Sequence, residues 1–520
     1  MITLNSTNRL PALKMPWKKG IAVGRGYELL RRDLLDHLEY LQKEIGYTYT
    51  RFHAVFHDDM DVYREDAAGN PVYQWHHVDK ILDASRELGF KHILELNPMP
   101  AALASSGQTM FHFKMNVTPP KCYKKWEALV RAFVQHTVER YGREEVLTWY
   151  FEVWNEPNLS GFWSGTREEY FELYDASARA VKSVDPRFRI GGPASSKCSW
   201  LIETIEHCVR TEVPIDFVST HLYPQDEYVA YKNREGSPHD PGMFFVDTIQ
   251  AAKAAIKSSP LPHLPLLFTE WNTMSCTPGR QVSWTNNPDV DTLYGAGMAL
   301  HACLHLDGVL DIFTWWVASD IFEEGGIPAA PFSCTYGLLT VRGTPKATCN
   351  AFRLLNRMTG ERLDLHLENA PNLANAVATT TEGQIRVLAW NHAALEIEEV
   401  PDWNDVVQIQ LPDALADQKQ LHVLSATIRK GQGSAYESWV DMGRPLNPTA
   451  WQERIIAAHS EPDFKVKKYA VRNGILEVPL QLAPHEVIYF EIASAQPPVR
   501  KLPVGEDLTH WDHLMGEHSN

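Results

Sequence analysis

Cysteine-pair spacing and a membrane-length apolar run are both missing from this sequence, and no leader segment is expected. Its seven cysteines, Cys122, Cys198, Cys208, Cys276, Cys303, Cys334 and Cys349, show no CxxC spacing, which argues against a disulfide framework or a zinc ribbon and predicts free, buried thiols. The opening residues, Met1 to Leu10, carry neither the basic start nor the apolar stretch of a secretory signal. Cytoplasmic localisation is therefore the expectation. No HExxH, EF-hand or P-loop string occurs, and the His76-His77 and His239-Asp240 pairs lack metal-ligand spacing. Cations are scarce as well: Lys and Arg number 49 against 65 Asp and Glu, a net charge of -16. Such a surface repels nucleic acid and anionic membrane, and it makes acidic substrates unattractive.

What is present is ample core material, with 44% hydrophobic residues over 520 positions, enough for two domains. Short β-like runs alternate with longer amphipathic stretches. The runs fall at 20–23, 47–56, 92–96, 148–153, 188–191, 217–222, 266–269 and 309–315. Helical spacing fills stretches such as 27–44, 123–141, 167–184 and 291–306, and 345–358 reads as a closing helix. Eight such pairs without antiparallel interruption predict a (β/α)8 barrel over residues 15–359. Beyond Gly360 the texture changes to alternating strands at 384–390, 406–411, 421–426 and 486–492, with a hairpin signal at Arg472-Asn473-Gly474. Residues 1–14 and 360–500 are thus expected to build an accessory antiparallel β-sandwich, and 501–520 a tail. Long loops at 98–121, 223–244, 272–290 and 318–344 would wall the barrel mouth into a pocket.

Chemistry is concentrated at two strand exits. The run Trp149-Tyr-Phe-Glu-Val-Trp-Asn-Glu-Pro-Asn158 ends its apolar stretch on an amide, a carboxylate and a proline, and Leu264-Pro-Leu-Leu-Phe-Thr-Glu270-Trp-Asn272 ends likewise. By the strand count Glu156 and Glu270 follow the fourth and seventh runs and face one mouth. Glycoside hydrolysis with retention needs such a pair, one carboxyl to protonate the leaving oxygen and one to attack the anomeric carbon. Either glutamate alone also fits a strand cap or a barrel ion pair.

With the motifs Arg51-Phe-His53, Trp154-Asn-Glu-Pro157, His221-Leu-Tyr-Pro224, Thr269-Glu-Trp-Asn272, and Trp315 followed by Glu323-Glu324, the chain resembles glycoside hydrolase family 39, the retaining β-xylosidases. The resemblance implies Glu156 as general acid/base and Glu270 as nucleophile. It implies Asn155 on the sugar 2-hydroxyl, Tyr223 and Arg51 supporting the nucleophile, His53 and His221 on sugar hydroxyls, Glu323 or Glu324 doing the same, and Trp315 as an apolar floor. Trp315 and its neighbour Trp316 cannot both face the pocket in a regular strand. The implied activity is exo-acting release of xylose from short xylo-oligosaccharides, with no cofactor and no metal. An α-L-arabinosidase or iduronidase-like preference is the alternative within the family, although the mouth loops lack the basic cluster a uronic acid needs. A non-catalytic carbohydrate-binding protein would require loss of one glutamate, and both are present. The sequence leaves a homo-oligomer open.

Overall fold

A computed structural model describes residues 2–224, 226, 241–274, 288–381, 383–394, 397 and 399–493. Strand β1 (Ile2–Leu10) opens the chain. The barrel strands follow as β2 (Gly20–Arg25), β3 (Tyr49–His53), β4 (Lys91–Leu96), β5 (Tyr150–Val153), β6 (Arg189–Ser195), β7 (Phe217–His221), β8 (Leu266–Trp271) and β9 (Ile312–Trp315). They pair in parallel in chain order, and Trp315 on β9 returns to Ile21 on β2, which closes the ring. Around them lie α1 (Arg32–Glu44), α2 (His76–Glu87), α3 (Tyr123–Tyr141), α4 (Arg167–Val184), α5 (Leu201–Thr211), α6 (Pro241–Lys257), α7 (Leu293–His305) and α8 (Ala347–Asn356). Both faces of the strands are covered, so they read as continuous apolar runs.

The helices predicted at 123–141 and 167–184 coincide with α3 and α4. The start of α4 is set locally: Thr166 and Glu169 exchange side-chain to backbone hydrogen bonds in a capping box. Two short hairpins, Tyr63–Glu65 with Pro71–Tyr73 and Thr109–Met110 with Met115–Asn116, interrupt the expected purely parallel pattern. They belong to the loops after β3 and β4 and leave the ring intact. Of the predicted mouth loops, 98–121 and 318–344 are described, whereas most of 223–244 and 272–290 lies outside the described residues, as do Trp284, His239, Asp240, Cys276 and the tail 501–520.

A second, sheet-rich domain contains β10 (Glu361–Leu367), β11 (Asn375–Thr381), β12 (Gln384–Trp390), β13 (Trp403–Gln410), β14 (Gln420–Lys430), β15 (Asp463–Arg472), β16 (Ile475–Leu482) and β17 (Val487–Ala493). β1 joins this sheet, parallel to β13 and antiparallel to β10. The sheet curls until β14 pairs with both β15 and β17. On β16, buried Leu476, Val478, Leu480 and Leu482 alternate with exposed residues, as a sheet covered on one face requires. The hairpin at 472–474 has φ 52° at Asn473 and 74° at Gly474, the left-handed pair that a tight two-residue turn needs. Two helices that strand alternation does not foretell, α9 (Tyr436–Asp441) and α10 (Ala450–His459), stand between β14 and β15. Among the described residues no helix is long and apolar enough to cross a membrane.

The two domains share one core, in which Leu388, Trp390, Ile428 and Tyr489 of the sheet join the apolar layer behind the barrel helices. Asn350 on α8 donates to the carbonyls of Gly433 and Ser460 at 3.0 and 2.6 Å. Beside this seam the His392 ring lies edge-on 5.5 Å from that of His485 and tilted 5.8 Å from that of His301. Burial, aided by His301 and His485, keeps the His392 pKa well below the ordinary imidazole value, and burial lowers that of His485 to about 4. A histidine whose folded-state pKa lies below its unfolded value stabilises the fold fully above about 6.5, and that contribution is lost as the pH falls towards the folded value. The thermal unfolding midpoint is therefore expected to fall by several degrees as the pH is taken from 6.5 down to 4. Replacing His392 with leucine should flatten that decline; an unchanged acid slope in the variant would refute the assignment.

Candidate active site

Alternation along the strands places the interior groups. The lower layer of the barrel is apolar, with Ile93, Phe217, Leu267 and Ile312 packed together beside Tyr49 and Tyr150. Two residues further along each strand, side chains return to the same face, and there the interior turns polar: Arg51 on β3, Glu95 on β4, Glu152 on β5, Ser219 on β7 and Thr269 on β8, all fully buried.

Arg51 is the hub of this layer. Its Nε donates to Glu152 Oε2 at 2.7 Å, and its two terminal nitrogens reach Glu95 at 2.5 Å, Asn155 Oδ1 at 2.9 Å and Glu270 Oε2 at 3.4 Å. Removing one member of a buried ion pair costs about 3–5 kcal/mol, so the hub holds the site together as well as setting its charge. Burial opposes ionisation of Glu152, yet Arg51 and the Ser219 hydroxyl keep it below the ordinary carboxylate range. Glu95 has less help, and burial pushes it up to about 8. It meets His53 Nδ1 at 2.8 Å and accepts a hydrogen bond from Asn97.

Two irregularities aim the mouth carboxylates. On β8 the register slips: Thr220 faces Phe268 but His221 faces Glu270. This bulge inserts one residue, so Glu270 joins Thr269 on the inner side while Trp271 still packs outward on Phe313 and Trp315. After β5 the chain takes φ 68° at Trp154 and 46° at Glu156. Left-handed non-glycine residues cost roughly 1–3 kcal/mol each and persist only where surroundings enforce them. Here the Trp154 indole donates to the Phe162 carbonyl at 2.9 Å, and Glu156 N donates to the Ala194 carbonyl at 2.8 Å.

One oxygen of Glu156, one of Glu270 and a ring nitrogen of His221 consequently lie within 4.8 Å of one another. Retaining glycosidases hold their carboxyls about 5–5.5 Å apart, inverting ones about 6.5–9.5 Å. The environments differ on the two sides. Tyr223 donates to Glu270 Oε1 at 2.5 Å and Arg51 approaches its other oxygen, both favouring the carboxylate. Glu156 meets His221 Nδ1 at 3.1 Å, and burial pushes it up to about 7 against the pull of Ser196 and Arg51. Burial and the charge of Glu156 also raise Glu270.

The remaining predicted residues divide. His53 is buried, and among the described residues its buried Nε2 has no hydrogen-bond partner. His221 spends both nitrogens on the protein, Nδ1 on Glu156 and Nε2 on Thr269 at 3.1 Å. The expectation that it binds a sugar hydroxyl is therefore corrected. Trp315 is corrected too: it shares parity with Phe313, packs on Trp271 and Phe352, and donates to the Tyr336 carbonyl behind the strand. Trp316, in step with the inward Ile312 and Thr314, takes the inner position. It lies 4.6 Å from the His53 ring and 5.9 Å from the Arg51 guanidinium. Glu323 is drawn to Arg25, whose nitrogens reach one of its oxygens at 2.8 and 2.6 Å. Glu324 instead lies in the field of Glu270 and Glu156, which together with burial keeps its carboxyl well above the ordinary range. Asp59 pairs with Arg25 and His57.

The motif reading gave no role to Glu95, Glu152, Arg25 or the Thr269 side chain. The signal for the glutamates was available, since each is a lone charge at an inward position of an apolar strand.

A closed parallel barrel carrying two carboxylates at this distance across β5 and β8 defines the class of barrel glycoside hydrolases. The chain belongs to glycoside hydrolase family 39: the model for glycosyl hydrolases family 39 matches residues 1–477. It is 35% identical over 500 residues to a β-xylosidase of Geobacillus stearothermophilus, with 94% of this chain and 95% of that protein covered. A β-xylosidase of Caldicellulosiruptor saccharolyticus is 34% identical over 498 residues, covering 95% and 98%. The crystal structure of a monomeric β-xylosidase from Caulobacter crescentus CB15 matches with a TM-score of 0.82 at 29% identity, covering 95% of this chain and 99% of that one.

Proposed function

We propose that this glycoside hydrolase is a retaining, exo-acting β-D-xylosidase that releases xylose from the non-reducing end of short xylo-oligosaccharides. The observation that carries the reading is the pair Glu156 and Glu270 within 4.8 Å, with the proton biased towards Glu156. The full-length similarity to β-xylosidases supports the sugar.

Glu270, held by Tyr223 and Arg51, attacks the anomeric carbon while Glu156 delivers its proton to the departing oxygen. Water then attacks the glycosyl-enzyme as Glu156 takes a proton back. Asn155 gives its carbonyl to Arg51, which leaves the amide NH2 to donate to the sugar 2-hydroxyl. His53 Nε2 and Glu324 serve the other hydroxyls, and Trp316 replaces Trp315 as the ring floor. Cytoplasmic localisation belongs to the same reading and is supported by the free thiols of Cys122, Cys198, Cys208, Cys303 and Cys349.

A panel of aryl glycosides differing only in the sugar is the test. The β-D-xyloside should turn over fastest, and β-xylose should form first by NMR. A β-glucoside preference would overturn the sugar, and α-xylose as the first product would overturn retention. Because Glu156 must be protonated at the start, kcat/KM should fall as the pH rises through about 7.

A further inference from the structure

We propose that Thr269 is a positioning residue that fixes the tautomer of His221 and thereby keeps the transferable proton on Glu156. The inference rests on Glu156 being the acid/base and concerns how its proton is held.

The argument follows hydrogen-bond directions from the barrel interior outward. Glu152 takes Arg51 Nε on one oxygen and the Thr269 hydroxyl on the other at 2.7 Å each, with the Ser219 hydroxyl a further donor. A carboxylate in that position only accepts. Thr269 has one hydroxyl proton, and it is given to Glu152. Its contact with His221 Nε2 at 3.1 Å must then be donated by the imidazole. The His221 ring is fully buried, and burial lowers its pKa to about 4, so it is neutral and carries a single N–H. With that hydrogen on Nε2, Nδ1 presents a bare lone pair to Glu156 Oε1 at 3.1 Å and to Glu270 Oε2 at 3.5 Å.

A lone pair there receives the proton of a neutral Glu156 and repels its carboxylate. It disfavours ionisation of Glu270 less, because Tyr223 and Arg51 already satisfy that group. The relay therefore separates the roles of two otherwise similar buried glutamates. In the first step the proton leaves Glu156 for the leaving oxygen as the glycosidic C–O bond breaks and the Glu270 ester forms. In the second step water's oxygen displaces Glu270 while water's proton returns to Glu156, again facing Nδ1. Among the described residues, the other charged or titratable groups around Glu156 include Arg51, Glu95, Lys197, Tyr223, Glu270 and Glu324, and none of these supplies a lone pair fixed by a hydrogen-bond chain.

The experiment is the pH profile of kcat/KM for xylobiose in the parent, Thr269→Val and Thr269→Ser enzymes. Valine keeps the shape but frees the ring to carry its hydrogen on Nδ1 and donate to the Glu156 carboxylate. The basic limb should then move down by about one pH unit. Serine retains the hydroxyl and should keep the limb in place. An unmoved limb in Thr269→Val, or an equal displacement in Thr269→Ser, overturns the relay. In the parent enzyme, nitrogen NMR of His221 should show Nε2 protonated and Nδ1 bare; a protonated Nδ1 overturns the proposal without any variant. If the same basic limb persists in Glu156→Ala, the acid assignment fails instead, so the two failures are distinguishable.

Discussion

Glu270→Ala is expected to lower kcat by about five to six orders of magnitude, the scale on which removal of a covalent nucleophile acts. Among the described residues Glu270 is the only carboxylate that receives both the Tyr223 hydroxyl and the Arg51 cation, so no described neighbour is equally prepared to attack. The truncated side chain leaves space on the face of the sugar opposite the leaving group. Azide entering that space should restore part of the rate and yield an α-xylosyl azide, inverted relative to the substrate. Turnover of the variant within tenfold of the parent, or a β-configured adduct, would remove Glu270 from the nucleophile's role.

Glu156→Ala is expected to affect substrates according to their leaving groups. Proton transfer by a placed acid contributes roughly 10²- to 10⁴-fold, and xylobiose should lose that amount because its departing sugar needs the proton. A dinitrophenyl xyloside needs none, so its first step should proceed. The glycosyl-enzyme then accumulates for want of a base, and KM falls along with kcat. Azide attacking this intermediate gives a β-xylosyl azide. The two variants are thus distinguished by the anomer they make, which cannot be explained by general damage to the barrel. Intact xylobiose turnover in Glu156→Ala would sink the acid role.

Much of this architecture can be read from local pattern because a parallel barrel imposes a strong one. Strands buried on both faces must be apolar along their length, and the helices between them must be amphipathic. The intervals 123–141 and 167–184 emerged at residue precision, and the polar exits at Asn155-Glu156-Pro157 and Thr269-Glu270 stood out against apolar runs. Where alternation was applied it was informative: it allowed only one of Trp315 and Trp316 to face inward. Choosing Trp315 was the error, because the parity of Ile312 and Thr314 favours Trp316.

Sequence by itself determined the barrel, the sheet-rich second domain and the two strand ends where carboxylates emerge, since hydrophobic period and turn chemistry act over a few residues. Tertiary structure alone decided how those carboxylates differ. The β8 bulge that turns Glu270 inward, the single guanidinium shared by Glu95, Glu152 and Glu270, the diversion of Glu323 to Arg25 and the chain from Glu152 to Glu156 all join residues from different strands. The physical reason is that ionisation of a buried group depends on burial and on the donors within a few ångströms, and the closed ring is what brings those donors together.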